Sequence, residues 1–216
     1  MNKTLQTIAL LACCQLVQAA PTAAKNNPAT ITAAAEQNDA WMVRLIAWAD
    51  EFQIPAQDLP RDQNALRHLQ ELNLNRLDYI DNGKLPKITY LPPEIGQLQQ
   101  LQRLYLDANQ LRALPATIGK LQQLQVLSLS DNQLRTLPAE ISQLQQLQGL
   151  YLLRNQLTAL PDDIGKLQQL HTLFLDENPL TALPASFTRL HKLRNFNYDP
   201  SLQLTPEQVQ FLDAER

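Results

Sequence analysis

"LQVLSLSDNQLRTLPAEISQLQQ" runs from Leu124 to Gln146, and "LQGLYLLRNQLTALPDDIGKLQQ" follows it from Leu147 to Gln169. The two stretches agree at the leucines, at one asparagine and at a Leu-Pro pair, and differ between them. Self-similarity at a fixed period is weighed before any other pattern, because it sets the architecture. The period is 23: units begin at Leu101, Leu124, Leu147 and Leu170, and a fifth, from Leu193, decays after "LRNFNYDP". Upstream, Leu69, Leu72 and Leu74 open another unit that "LPPEIGQLQQ" from Leu91 closes, with about nine extra residues between the halves, around "LDYIDNGKLPKITY". "LPRDQNALRHL" (Leu59–Leu69) has the spacing of "LPATIGKLQQL" (Leu114–Leu124) and fits the closing half of an entry unit.

Leucines at the fourth and sixth positions of each unit alternate as a strand does, so both point to one side. Ile118, Leu121 and their equivalents return from the opposite wall of the coil. A single coil cannot bury such a set, whereas stacked coils can. Five Leu-Pro pairs, from Leu91-Pro92 to Leu183-Pro184, fix φ where each strand-side segment ends. Asn109, Asn132, Asn155 and Asn178 form a column flanked by apolar residues. They are expected to form a ladder in which each buried amide satisfies backbone groups of a turn.

The segments "LQRLYLDANQL", "LQVLSLSDNQL", "LQGLYLLRNQL" and "LHTLFLDENPL" resemble the leucine-rich repeat family, whose signature is L-x-x-L-x-L-x-x-N-x-L. The extension "LPxxIGxL" is similar to the 23-residue subclass of Ras-suppressor-type and many bacterial repeat proteins. The resemblance covers Leu59 to about Pro200. It implies an α/β solenoid: a right-handed horseshoe with a concave parallel β-sheet, here with helical caps at both ends.

The letters that change between units lie between the leucines, and in a strand those side chains point away from the core. At the fifth position the column is Asn73, Tyr105, Ser128, Tyr151, Phe174 and Asn197; at the seventh, Asn75, Asp107, Ser130, Leu153, Asp176 and Asp199; at the eighth, Arg76, Ala108, Asp131, Arg154, Glu177 and Pro200. The candidate partner-binding face is therefore Tyr105, Asp107, Ser128, Ser130, Asp131, Tyr151, Leu153, Arg154, Phe174, Asp176 and Glu177. Aromatic side chains rimmed by charge point to an interface, with Ser128 leaving a gap between Tyr105 and Tyr151. The glutamines of "GKLQQLQ" and "SQLQQLQ" are expected to form a solvated wall.

A solenoid needs caps. Residues 31–58 are expected to form the first, a helix with Trp41, Leu45, Trp48 and Phe52 on one face. Residues 201–216 form the second, with Thr205 as N-cap, Pro206 at the first helical position, and Val209 and Leu212 turned to the last coil. The repeats occupy 59–200, with an irregular insert at about 77–90 where Asp81-Asn82-Gly83 signals a turn.

"MNKTLQTIALLACCQLVQAAP" has Lys3 near its start, an apolar run from Ile8 to Val17 and small residues at its end. It fits a signal peptide over residues 1–19, followed by a flexible leader at 20–30. Both cysteines, Cys13 and Cys14, lie inside it. Stability is therefore expected from packing rather than disulfides. Leu10-Leu11-Ala12-Cys13 resembles a bacterial lipobox, so membrane attachment is expected only through a lipidated Cys13.

The formal net charge is −3, with no basic run, which excludes a nucleic-acid partner. His68, His171 and His191 lack metal-ligand spacing, and no catalytic or phosphate-cradling motif occurs. No catalytic residue, metal or cofactor is expected. Some bacterial repeat effectors of this family are ubiquitin ligases, but their nucleophilic cysteine has no counterpart after Cys14. The expected function is thus a monomeric, secreted or periplasmic bacterial module that binds a protein of unknown identity through its concave face, open to a role in virulence. The alternatives are a periplasmic or outer-membrane lipid-anchored envelope scaffold and, of another class, a carbohydrate-binding protein or enzyme.

Overall fold

Each 23-residue unit folds into one coil of a solenoid: a short strand, a turn, and a one-turn 3-10 helix that brings the chain back. The computed structural model describes the backbone of residues 28–76 and 85–214, with side chains from Asp39 onward. The expected signal peptide, the expected leader up to Asn27 and residues 77–84 of the insert lie outside the described residues. The chain divides into two units, residues 1–38 and 39–216, and the strands among the described residues all lie in the second.

The strands are β1 (Glu71–Asn73), β2 (Arg103–Tyr105), β3 (Val126–Ser128), β4 (Gly149–Tyr151), β5 (Thr172–Phe174) and β6 (Asn195–Asn197). They pair in sequence order as one open, parallel six-stranded sheet. Register is set by the repeat: Leu72, Leu104, Leu127, Leu150, Leu173 and Phe196 stand side by side. The leucines at the first, fourth and sixth positions of the units from Leu101 to Leu170 are essentially buried, as are Ile95, Ile118, Ile141, Ile164 and Phe187 on the return wall. The result is an α/β solenoid of the horseshoe type.

The asparagine column bonds coil to coil. The Oδ1 of Asn132 accepts the Leu111 N–H at 2.9 Å, and its Nδ2 donates to the carbonyls of Leu106, Leu129 and Ser130 at 2.9, 3.1 and 3.2 Å. Asn109, Asn155 and Asn178 repeat this pattern, with Ile88 taking the place of Leu111 at the first step. Ile88 is fully buried, so the insert returns to the regular coil at that residue. Just before each asparagine the backbone turns left-handed, at Ala108, Asp131, Arg154 and Glu177 (φ 58°, 55°, 52° and 55°).

The return wall is tighter than its glutamine-rich sequence implies. The first Gln of each pair closes the end of the preceding 3-10 helix: Gln99, Gln122 and Gln168 donate to the carbonyls of Gly96, Gly119 and Gly165 at 2.6 Å, and Gln145 donates to that of Ser142 at 3.0 Å. The expected solvated wall is thus partly structural. The glycines permit close stacking; a Cβ on Gly165 would stand 2.0 Å from the Ser186 carbonyl oxygen. Ser142 holds the glycine's place in the second full unit, which begins at Leu124. The next coil there has a 3-10 helix shortened to Ile164–Lys166, against Ala139–Gln143 in the coil of Ser142 itself.

Among the described residues, three helices complete the structure. Helix α1 (Pro28–Glu51) begins inside the span expected to be leader, at a proline suited to a first helical position. Leu45, Trp48 and Phe52 are buried, and Trp48 donates to the Tyr90 carbonyl at 3.1 Å. It ends in a Schellman motif: Gln53 is left-handed, Ile54 N–H bonds the Ala49 carbonyl, and Gln53 N–H bonds that of Asp50. Helix α2 (Gln63–Arg67) is capped by Asp62, which accepts from Ala65 N–H at 2.9 Å. Helix α3 (Pro206–Ala214) starts with a reciprocal cap between Thr205 and Gln208. Val209 faces solvent, contrary to expectation, at 44% exposure. Gln208, Phe211 and Leu212 make the contact instead: Gln208 bonds the Leu183 carbonyl at 3.1 Å, and Phe211 meets Phe187 edge-on at 5.8 Å. The reason is the cap: fixing Gln208 at the third helical position turns its face, not that of its neighbour Val209, to the coil.

Candidate interaction surface

The outer face of the sheet is built from the third, fifth and seventh positions of each unit. The third column, Glu71, Arg103, Val126, Gly149, Thr172 and Asn195, was missed by the sequence reading. Strict alternation outward from the fifth position would have found it. The eighth position lies in the left-handed turn, beyond the strand.

Tyr151 and Phe174 are direct neighbours in register, and their rings meet edge-to-face, with centroids 5.4 Å apart and planes at 87°. Both are half-buried. The ring of Tyr151 lies back over its own strand, in the space that Gly149 leaves open. A Cβ on Gly149 would come within 3.0 Å of Tyr151 Cε2. Leu153 and Asp176 follow on the same two coils, both half-exposed. Tyr105 stands apart, with the Ser128 strand between it and the pair.

Ser128 is buried at 7% exposure, so the gap between Tyr105 and Tyr151 has a closed floor. Its hydroxyl donates to Asp107 Oδ1 at 2.6 Å, and Ser130 N–H donates to the same oxygen at 2.8 Å. Asn75 does likewise one coil earlier, its Oδ1 accepting the Asp107 N–H at 2.6 Å. Asn75, Asp107 and Ser130 thus form a second short ladder, which ends at Leu153. On the turn side, Arg154 bridges Glu177 at 3.0 Å and Asp131 at 3.6 Å, while Arg103 pairs with Glu71 at 2.6 Å on the third column. Of the eleven candidate residues, the structure brings Tyr151, Leu153, Phe174 and Asp176 into one patch and Asp131, Arg154 and Glu177 into one ion-paired row. Asp107, Ser128 and Ser130 are tied up with one another.

Residues 99–157 match the family model described as "Leucine rich repeat". The leucine-rich repeat protein LIC12759 of Leptospira interrogans is 36% identical, with the match covering 74% of this chain and 45% of that one at a TM-score of 0.58. The chain belongs to the leucine-rich repeat family. The PEPR1–AtPEP1 structure is 30% identical over 61% of this chain and 21% of that one, with a TM-score of 0.52. The Toll–Spatzle complex of Drosophila is 28% identical over 63% of this chain and 17% of that one, with a TM-score of 0.54. The repeat protein therefore spans less than half the length of these solved relatives. No curated protein matches it.

Burial pushes the Asp107 carboxyl of this repeat protein above the usual carboxylate range. The bonds from Ser128, Ser130 and Asn75 pull it part of the way back. A raised folded pKa means that the folded chain binds the proton more tightly than the unfolded one, so the charged form is a cost at neutral pH that fades on acidification. Asp107→Asn keeps an oxygen for both donors and removes the charge. It is expected to be at least as stable as the parent at neutral pH, with the difference shrinking once pH falls below the folded pKa and gone below the unfolded one. Asp107→Ala leaves Ser130 N–H without its acceptor and should cost about 1 kcal/mol, since water reaches part of the site. Denaturant titrations of the three proteins across the acidic range check both statements.

Proposed function

We propose that this repeat protein is an exported, non-enzymatic recognition module that binds a protein partner on the outer face of its sheet. The observation that carries the reading is the half-exposed Tyr151–Phe174 pair on β4 and β5 of that face. Large aromatic side chains offer much contact area at small entropic cost, and they concentrate at the centres of interfaces. Two of the similar structures, PEPR1–AtPEP1 and Toll–Spatzle, are complexes, which favours a protein partner. Among the described residues no group of three His, Cys, Asp or Glu is placed to hold a metal ion. One groove between coils, of about 330 Å³, lies beside Asp163, Lys166 and Arg189.

The test is capture of partners by the purified protein and by a variant with Tyr105, Tyr151 and Phe174 changed to Ala. A protein held by the parent and released by the variant supports the face. Equal capture by a variant that melts like the parent rejects it.

Export is the second half of the proposal. It rests on the Lys3 start, the apolar run and Val17-Gln18-Ala19. Mass spectrometry of the protein from its native host should find a chain beginning at Ala20. A chain beginning at lipid-modified Cys13 would place the same face on an anchored envelope scaffold. An intact Met1 in the cytoplasm would sink both.

A further inference from the structure

We propose that the partner of this face is a basic segment: an Arg or Lys flanked by apolar side chains, its cation seated at the corner formed by Tyr151, Phe174 and Asp176. The inference rests on the sheet face being the recognition surface and adds the chemistry of what it recognises.

The argument starts from the carboxylates. On this face Glu71 is held by Arg103, Asp107 by Ser128 and Ser130, Asp131 and Glu177 by Arg154, and Asp199 by the Ser201 N–H. Asp176 alone has no side-chain partner among the described residues, although its backbone carbonyl accepts from Arg154 and Asn178. It stands two residues after Phe174 on β5 and beside Leu153 of the preceding coil. An ion beside apolar and aromatic neighbours is incompletely hydrated, and a charged donor satisfies it better than a neutral one.

The aromatic pair completes the seat. Tyr151 and Phe174 fix one another edge-to-face, and Gly149 lets the tyrosine ring lie along the sheet instead of standing up from it. A ring face within about 6 Å attracts a cation, most strongly where water is displaced. The aliphatic stem of an Arg or Lys would cover Leu153 while its head reaches Asp176, the usual division of labour of such side chains. An acidic segment would meet Asp131, Asp176 and Glu177 with only Arg154 to answer them, so the charge of the rim also excludes.

The experiment is selection from a random 12-residue peptide display library on the full protein. Affinities of the enriched peptides are then measured on the parent, on Asp176→Asn, and on the double variant Tyr151→Ala, Phe174→Ala, each checked by its melting curve. We expect Arg or Lys beside Leu, Ile or aromatic residues to dominate the enriched set. Binding should weaken about tenfold in Asp176→Asn, weaken in the double variant, and fall with added salt. Peptides without a cation that still depend on the aromatic pair would overturn the basic partner and leave the recognition face intact. Basic peptides that need Asp176 but not the aromatic pair would reduce the effect to surface charge and overturn the seat. Peptides indifferent to both variants, or no enrichment at all, would overturn the seat and count against the face itself.

Discussion

Asn132→Ala should lower the unfolding free energy by roughly 1–3 kcal/mol, the cost of leaving a buried backbone donor unsatisfied. The side chain is 8% exposed. Its removal strands the Leu111 N–H, and the carbonyls of Leu106, Leu129 and Ser130 lose a shared donor. In a stacked array each coil is held only by its neighbours, so the loss weakens the junction between the coils that start at Leu101 and Leu124. Asn132→Asp separates the hydrogen-bond account from simple packing. Its oxygen can still accept from Leu111, but the second oxygen replaces an NH₂ group that faces three carbonyls. At neutral pH it should be worse than Ala. The folded pKa of that carboxyl is driven upward, so stability returns as pH falls and the proton restores a donor. Chemical denaturation of the three proteins at two pH values decides the matter; an unchanged midpoint and slope for Asn132→Ala would show that the ladder does not support the fold.

The same column shows why so much of the fold was legible. A constraint that acts once per coil is written once per unit, and it surfaces as a period: leucines for the core, asparagine for the turn, Leu-Pro for the end of the strand-side segment. The outer face has no such redundancy. Its properties arise between unlike neighbours. Ser128 is buried because Asp107 of the previous coil claims its hydroxyl. Tyr151 lies flat because Gly149 of its own strand has no side chain. On the return wall Ser142 stands where Gly96, Gly119 and Gly165 stand in other coils, and the 3-10 helix of the next coil is shorter. The caps mislead for a related reason. Apolar spacing marks Val209 and Leu212 as one face of α3, but a polar residue, Gln208, sets the rotation by bonding both Thr205 and Leu183. Pattern reading scores apolar positions, and this contact is carried by an amide.

The triple variant Tyr105→Ala, Tyr151→Ala, Phe174→Ala should weaken partner binding by 2 kcal/mol or more, roughly thirtyfold, the loss that follows truncation of aromatic anchors at the centre of an interface. The three positions do not contribute alike. Tyr151 and Phe174 touch, so removing either deprives the other of its edge-to-face support, worth about 0.5–1.5 kcal/mol. Their single effects on binding should therefore fail to add, while Tyr105, separated from them by β3, should add to either. The leucines beneath remain in place, but the ring pair is half-buried, so truncating it should cost a modest amount of stability. That cost is measurable by denaturation and separable from binding. Gly149→Val gives an independent handle. Val126 occupies the same place on β3, so the fold has room for a side chain there, yet the Tyr151 ring must move off its strand. If a flat ring is what the partner reads, this variant should bind nearly as poorly as Tyr151→Ala while every aromatic side chain is still present. Binding at full strength by Gly149→Val, with the triple variant weakened, would mean that the partner reads the rings but not their arrangement.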